Sequence, residues 1–293
     1  MRTLVAFTFA AAMVLSIAAP LAAQEKPFTP PRTPDGHPDM QGAWARRGAS
    51  MAEANAPQSP LADFSSTGQP YPTIFNNGVV TALDRSALAS RKTGVIDPPD
   101  RVLPWRPEAD AARREFIKHQ MPPEGLKYIE AYARCPLPGP LEGDDRAPFF
   151  VLQRPGSFVL AYEYNHVTRV IYTDGRFHVG KGIRFFMGDS IGRWESDTLV
   201  VDTTNFNDQT ALSRVIPFHS EDLHTTERFT LISPAIIDYQ ITIDDAQLFT
   251  KPVTIAGYFA AAQKGVEPME FAWRRAAPTL LAYWDDRPGC GVG

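Results

Sequence analysis

The sequence predicts a mainly β protein whose short antiparallel strands form a meander that closes as a barrel, with a β-sandwich as the alternative. Three observations lead to this prediction. After Cys135, apolar residues recur with a period of two in short runs. Turn-forming residues separate one run from the next. No repeat of fixed period stands out, which disfavours a solenoid or a propeller.

Residues 1–23 have the composition of a secretory signal peptide. Arg2 precedes an apolar run that ends at Ala19, and the small residues Ala22 and Ala23 suit cleavage by a signal peptidase. The apolar run is shorter than a comfortable membrane span, so we expect a mature chain that begins at Gln24. The segment therefore predicts a periplasmic or secreted protein with no insertion into a membrane after the signal is removed.

Residues 24–104 are rich in Pro, Gly, Ser and Asn. Proline fixes the backbone angle φ and removes a hydrogen-bond donor, so we expect few regular ladders here. Aromatic residues give the segment apolar anchors: Trp44, Phe64, Tyr71 and Phe75. The composition predicts an extended arm that wraps the main domain.

Residues 105–293 are predicted to form the β domain, introduced by one helix. The helix is expected from Pro107, a residue favoured in a first turn, to His119, before Pro122 and Pro123 end it. Asp174 and Gly175 predict a hairpin turn. The expected strands are Phe149 to Gln153, Phe158 to Tyr164, Val167 to Thr173, Thr198 to Thr204, Leu223 to Leu231, Ile236 to Ile243, Val253 to Phe259 and Leu280 to Trp284.

The net charge of −4 and the two cysteines limit the classes of partner. Acidic and basic residues are interspersed, so the chain lacks the basic stripe that nucleic acid requires and shows no charged patch for a membrane. Cys135 and Cys290 are expected to pair in an oxidising compartment, with a buried thiol pair as the alternative. They lack the neighbouring histidines that a zinc site would need.

One block of the sequence is dense in motif residues. It contains DGRFH at 174–178 and GDSIGRWESDTLVVDTTNFND at 188–208, and ERF follows at 227–229. The block resembles a family of exported bacterial proteins to which no activity is assigned, and the likeness extends from Pro34 to Pro252. The part around Trp194 is also similar to the strand-and-turn pattern of lipocalin-like barrels. That second resemblance implies a fold and no function.

Strand parity places two charged residues inside the predicted barrel. Glu227 shares a strand face with the apolar Leu223, Phe229 and Leu231, and Arg169 lies between Val167 and Ile171 on another strand in the same way. An inward charge is unstable unless it is paired, so one interpretation is a structural ion pair between the two. The other makes Glu227 a general acid or base with a raised pKa in a ligand cavity.

The histidines and aspartates of the β region complete the candidate site. We expect His178 and Asp189 to act with Glu227 in catalysis, because imidazole and carboxylate groups transfer protons near neutral pH. Their spacing matches no metal site, and no cofactor motif is present. The expected substrate-binding residues are Arg169, Arg176, Arg193, His219, His224 and Asp208.

Three functions are compatible with the sequence. The first is a cofactor-independent acid–base enzyme, of isomerase, lyase or hydratase type, acting on a small, partly apolar molecule in the barrel. The alternative is a periplasmic protein that binds or carries such a molecule without changing it. A purely structural envelope protein is a third possibility. An enzyme changes a supplied ligand, whereas a carrier returns it intact.

Overall fold

The structure is a computed structural model, and it describes residues 28–47, 94–120, 123–128, 139, 141, 148–163, 166–213 and 216–262. Several predictions fall outside these residues. They concern the signal peptide and the mature start at Gln24, the pairing of Cys135 with Cys290, the anchors Phe64, Tyr71 and Phe75, and the strand from Leu280 to Trp284.

The described residues form ten strands and one α-helix. Along the chain they are β1 Gly42–Arg47, β2 Gly94–Asp97, α1 Pro107–His119, β3 Phe149–Arg154, β4 Ser157–Tyr162, β5 Thr168–Tyr172, β6 Asp189–Glu195, β7 Thr198–Thr204, β8 His224–Ser233, β9 Ile236–Asp244 and β10 Val253–Ala261. A short 3₁₀ turn at Leu126–Tyr128 follows α1.

Nine of these strands close into a barrel, which confirms the predicted fold class. The sheet order runs β1, β3, β4, β5, β6, β7, β8, β9, β10, and β1 also pairs with β10, so the first and last strands meet. Strand β2 lies outside this circle and pairs with β10. The pairings are antiparallel except at β5 and β6, which run parallel. The architecture fits a lipocalin-like barrel.

Aromatic side chains fill the middle of the barrel. Strand alternation turns one face of each strand inward, and along β8 the inward residues from Thr225 to Leu231 are buried, as the parity argument predicts. The ring of Phe259 lies 4.7 Å from that of Tyr239, 4.9 Å from that of Phe149 and 5.9 Å from that of Phe229. These packed rings form the barrel's core.

Strand β1 comes from the segment in which the sequence predicts few ladders. No proline lies between Pro38 and Pro57, and Gly42–Arg47 is therefore able to pair on both edges. Two residues before β1 contact the barrel. Arg32 contacts Asp197 at 2.7 Å, and the ring of His37 stacks on Trp194 at 4.6 Å.

The hairpin predicted at Asp174 and Gly175 is wrong. Gly175 does adopt a turn conformation, with φ of 80°, but the chain continues into a loop over residues 173–188. The next strand, β6, then pairs with β5 in parallel, at Tyr172 and Ile191. The turn is stabilised locally because the Asp174 carboxylate accepts a hydrogen bond from the Arg176 backbone N–H at 3.2 Å.

The helix α1 has the bounds that the sequence predicts, and it packs at one end of the barrel. The backbone N–H of Arg106, just before the helix, donates to the carbonyl of Leu248 at 2.8 Å. The guanidinium of Arg113 lies over the ring of Trp105, at 4.8 Å from the ring centroid. No helix among the described residues is long and apolar enough to cross a bilayer.

Candidate functional site

Two groups of polar side chains lie on opposite faces of the sheet at β6, β7 and β8. Residues from β5, β9 and loop 173–188 complete them. Successive residues of a strand point to opposite faces, so Ser190, Thr203 and Thr225 point into the barrel while their neighbours point outward. The inner group, here the inner network, comprises Arg169, Ser190, Thr203, Glu227 and Tyr239. The outer group, here the Asp–His chain, comprises Asp189, His178, Asp202 and His224.

The inner network is built on a buried ion pair between Arg169 and Glu227. Their side chains are 3% and 2% exposed, and two guanidinium nitrogens of Arg169 donate to the two carboxylate oxygens of Glu227, Nη1 to Oε1 at 3.1 Å. The remaining donors of Arg169 reach Ser190 Oγ at 3.0 Å and Thr203 Oγ1 at 2.8 Å. The predicted proximity of Glu227 and Arg169 is confirmed.

The carboxylate of Glu227 accepts a third hydrogen bond besides the two from Arg169. Oε1 also accepts a hydrogen bond from the Tyr239 hydroxyl at 3.0 Å. Burial disfavours the charge of Arg169, but the adjacent Glu227 carboxylate outweighs burial and raises the pKa of the guanidinium above its ordinary value. Arg169 and Glu227 therefore form a hydrogen-bonded structural pair.

The Asp–His chain is partly exposed on the outside of the barrel. His178 comes from loop 173–188, and its ring lies between two carboxylates, with Nδ1 2.9 Å from Asp189 Oδ2 and Nε2 2.9 Å from Asp202 Oδ1. The other oxygen of Asp202 lies 2.7 Å from His224 Nε2. Asp202 thus joins the two histidines.

The Asp202–His224 contact changes the acidity of both groups. The hydrogen bond from His224, assisted by the one from His178, lowers the pKa of Asp202. The same bond to Asp202 raises the pKa of His224. Within the described residues, His224 Nδ1 has no hydrogen-bond partner, so a proton on that nitrogen is open to exchange with a bound molecule.

A cavity of about 470 Å³ opens at the same end of the barrel, where β7 ends and β8 begins. It lies between α1, the connection from β7 to β8, and the turn that follows β9. This volume suits a small-molecule ligand. The lining residues are Glu108, Ala109, Asp208, Phe218, His219, Ser220, Glu221, Asp222, Gln247 and Leu248.

His219 is a buried residue that lines this cavity, and both of its ring nitrogens are hydrogen-bonded. Nδ1 donates to the carbonyl of Ser220 at 2.9 Å, because a carbonyl oxygen only accepts. In the neutral ring Nε2 then accepts from the Thr210 hydroxyl at 2.7 Å. Burial lowers the pKa of His219, which favours this neutral form. His219 therefore fixes the shape of the cavity.

Four carboxylates give the cavity a negative charge. Glu221 is neutralised by Arg184, whose Nη2 lies 3.1 Å from Glu221 Oε2. Glu108, Asp208 and Asp222 have no cationic side chain within 4 Å in the part of the chain that the structure describes. Asp222 accepts only a long hydrogen bond from the Gln247 side chain at 3.4 Å. Among the described residues, three of the four carboxylates thus have no cationic partner, and they lie beside the apolar side chains of Phe218 and Leu248.

The structure separates the nine site residues that the sequence predicts into distinct locations. Glu227 and Arg169 lie inside the barrel, whereas His178, Asp189 and His224 meet on its outer face. His219 and Asp208 line the cavity. Arg176 and Arg193 are exposed and form local ion pairs, with Asp174 and Glu195 respectively. Glu227 therefore does not share a face with the other two proposed catalytic residues, His178 and Asp189.

Several residues of these groups were not among the sequence candidates. Asp202 is the central link of the Asp–His chain, and Ser190, Thr203 and Tyr239 complete the inner network. The parity argument that identifies Glu227 also places Thr203 inward and Asp202 outward, so the signal for these two was present. The contacts of His178 with Asp189 and Asp202 depend on the path of loop 173–188. The sequence of that loop has no apolar periodicity from which its path could be predicted.

The described residues contain no group of three or more His, Cys, Asp or Glu side chains arranged to hold a metal ion. Comparison of the chain with known proteins finds no matching family model, no matching curated protein and no matching solved structure.

Proposed function

We propose that this protein binds a small, partly apolar molecule with a cationic group in the cavity beside α1, and that it acts as a carrier. The observation that carries the proposal is a cavity of about 470 Å³ lined by three carboxylates that have no cationic partner in the described part of the chain. A carrier function also agrees with the inner network, because Arg169 already occupies the carboxylate that the alternative, acid–base chemistry inside the barrel, would need.

Charge in the cavity favours a cationic ligand. Asp208, Asp222 and Glu108 are exposed side chains that line one concave surface, so their negative charges act together on a molecule bound there. An ammonium group bound there gains attraction from all three carboxylates and offsets their mutual repulsion. An anionic ligand would be repelled by the same groups.

The apolar walls define the other half of the ligand. Phe218 is packed against the barrel core and lines the cavity together with Ala109 and Leu248. These side chains suit an alkyl or aryl group, and an aromatic ring also attracts a cation placed over its face. An arylalkylammonium ion combines the two features.

Calorimetric titration with three matched probes tests this proposal. We expect phenethylammonium to bind, and phenethyl alcohol and phenylacetate to bind at least about tenfold more weakly because they lack the positive charge. Asp208→Asn and Asp222→Asn should each weaken phenethylammonium binding roughly two- to fivefold. Asp174→Asn, an exposed carboxylate outside the cavity, is the control. Equal binding of charged and neutral probes, or no binding of any probe, would refute the proposal.

Acid–base catalysis on the outer face is the second candidate function. It is favoured by His224, whose Nε2 is oriented by Asp202 while Nδ1 has no partner among the described residues. Nuclear magnetic resonance of a bound molecule, recorded over time, separates the two functions. A carrier leaves the spectrum of the molecule unchanged, whereas an enzyme converts it and loses that conversion in His224→Gln.

A further inference from the structure

The loop over residues 176–186 presents apolar side chains to solvent. Five of the nine large hydrophobic residues that are exposed in the described part of the chain lie in this short loop. Phe177 is 92% exposed and Ile183 is 53% exposed, and Val179, Phe185 and Phe186 are exposed to between 37% and 41%. Single exposed apolar residues are ordinary, but a concentration of this kind marks an interaction surface.

The backbone of the loop is held in place by polar contacts with the barrel. The side-chain amide of Asn205 donates to the carbonyls of Val179, Gly180 and Ile183 at 3.4, 3.1 and 2.8 Å. The backbone N–H of Phe185 donates to the Asn205 carbonyl at 2.8 Å. At the start of the loop, His178 is bound between Asp189 and Asp202. The apolar side chains are therefore presented by a preorganised loop, which lowers the entropy lost on binding.

The charge of the loop differs from that of the whole chain. Residues 174–186 contain three basic residues, Arg176, Lys181 and Arg184, and one acidic residue, Asp174, whereas the chain has a net charge of −4. Arg176 pairs with Asp174, and Arg184 with Glu221. Lys181 is exposed and has no ion-pair partner among the described residues. The loop is locally basic and apolar at once.

We propose that loop 176–186 binds the surface of an anionic lipid bilayer. Phe177 and Ile183 enter the boundary between headgroups and acyl chains, and Lys181 contacts lipid phosphates. Apolar side chains combined with basic residues are the combination that anchors peripheral proteins at such surfaces. This surface contact needs no membrane-spanning segment, and it is independent of the ligand proposed for the cavity.

Vesicle flotation tests the proposal on the chain from Gln24 onward, so that the N-terminal apolar run does not contribute. The vesicles contain phosphatidylcholine, with or without phosphatidylglycerol. We expect wild type to float with the anionic vesicles, and Phe177→Ser and Ile183→Ser to bind about tenfold more weakly. Lys181→Glu should weaken binding to anionic vesicles and remove their advantage over neutral ones.

Leu152→Ser is the matched control, because Leu152 is 54% exposed on β3, outside the loop. It should float like wild type. The proposal is overturned if wild type does not float, if the loop variants float as well as wild type, or if Leu152→Ser loses as much binding as they do. Sedimentation without vesicles completes the test. A wild-type dimer that dissociates in Phe177→Ser would assign the loop to a second copy of the chain and also overturn the lipid proposal.

Discussion

Glu227 and Arg169 lie in a barrel interior whose other side chains are mainly apolar, so each charge depends on the other. We expect Glu227→Gln to lower the free energy of unfolding by about 3 to 5 kcal/mol, because Arg169 then stays buried without a counter-charge. Urea denaturation measures this loss. Glu195→Gln is the control, since Glu195 pairs with Arg193 and Arg228 on the exposed face, and its loss should be much smaller than that of Glu227→Gln. Similar losses in both variants would contradict the structural role of the buried pair.

Thr203 and Thr225 form a second matched comparison inside the barrel. They are opposite each other in the β7–β8 ladder and both are fully buried, but only Thr203 is hydrogen-bonded, to Arg169 and Ser190. The hydroxyl of Thr225 has no partner within the described residues. Thr225→Val should therefore stabilise the protein by about 1 kcal/mol, whereas Thr203→Val should destabilise it by roughly 1 to 3 kcal/mol. Urea denaturation measures the free energy of unfolding of the two variants. Equal changes would show that the two hydroxyls contribute equally to stability.

The Asp202–His224 contact predicts a pH-dependent contribution to stability. The pKa of His224 is raised above its ordinary 6.5, so its contribution is complete below that pH and is lost as pH rises through the higher folded value. The pKa of Asp202 is lowered below 3.8, so its contribution is lost only in stronger acid. The stability difference between wild type and His224→Gln should thus be largest between pH 4 and 6.5 and should decline above it.

Both side chains of this pair are partly exposed, and the difference should stay below about 1 kcal/mol. Urea denaturation at a series of pH values measures it. The neighbouring titratable groups are His178, Asp189 and Asp244. Wild type and His224→Gln both contain them. A difference that grows above pH 6.5 would show that Asp202 does not stabilise the charged form of His224.

At the scale of single elements, loop 173–188 depends on a glycine at its end. Gly188 has φ of 69°, and a Cβ atom there would lie 2.7 Å from the Thr204 carbonyl oxygen and 2.6 Å from Thr203 Cγ2. Gly175 has a similar φ of 80°, but a Cβ atom there meets nothing within 4 Å. Gly175→Ala should lose about 1 to 2 kcal/mol from conformation alone. Gly188→Ala should lose several kcal/mol, because the contact with backbone adds to that strain.

Thermal unfolding measures the two glycine variants side by side. The difference between the two losses gives the cost of the close contact at Gly188, because both glycines share the left-handed conformation. Equal losses would mean that the loop shifts away from β7 without penalty. In that event the hydrogen bonds of His178 to Asp189 and Asp202 should weaken as well, since His178 belongs to the same loop.

The elements show where sequence reasoning succeeds and where it ends. The strand at Thr198–Thr204 and the helix at Pro107–His119 have the predicted bounds. The strand is a short run of apolar and β-branched residues, and the helix has a helical composition between Pro107 and the prolines that follow it. Strand β6 was not predicted, since its inward positions are Ser190, Gly192 and the partly buried Trp194. Those residues give no apolar alternation. Their fit depends on inward neighbours from other elements, such as Ile171 against Gly192.

At the scale of the whole molecule, polar chemistry concentrates at one end of the barrel. The inner network, the Asp–His chain and the cavity all lie where β7 ends and β8 begins, whereas packed aromatic rings fill the middle. The alternation of residues along a strand was enough to place Arg169 and Glu227 inside the barrel, because both residues lie on strands. It did not locate the cavity, because α1, Phe218 and Gln247 are brought together by connections that lack a periodic pattern.

The closure of the barrel through β1 has a consequence for how the chain folds. Trp44 pairs with Phe149 on one side and with Ala261 on the other, so the ring is complete only when residues far apart in the chain have met. Contacts of such long sequence separation require loop-closure entropy to be lost early, which slows folding. Until then one edge of β3, and the part of β10 that β2 does not cover, are unpaired and open to other chains. The newly synthesised protein is therefore most prone to aggregation in the interval before β1 has paired with β3 and β10.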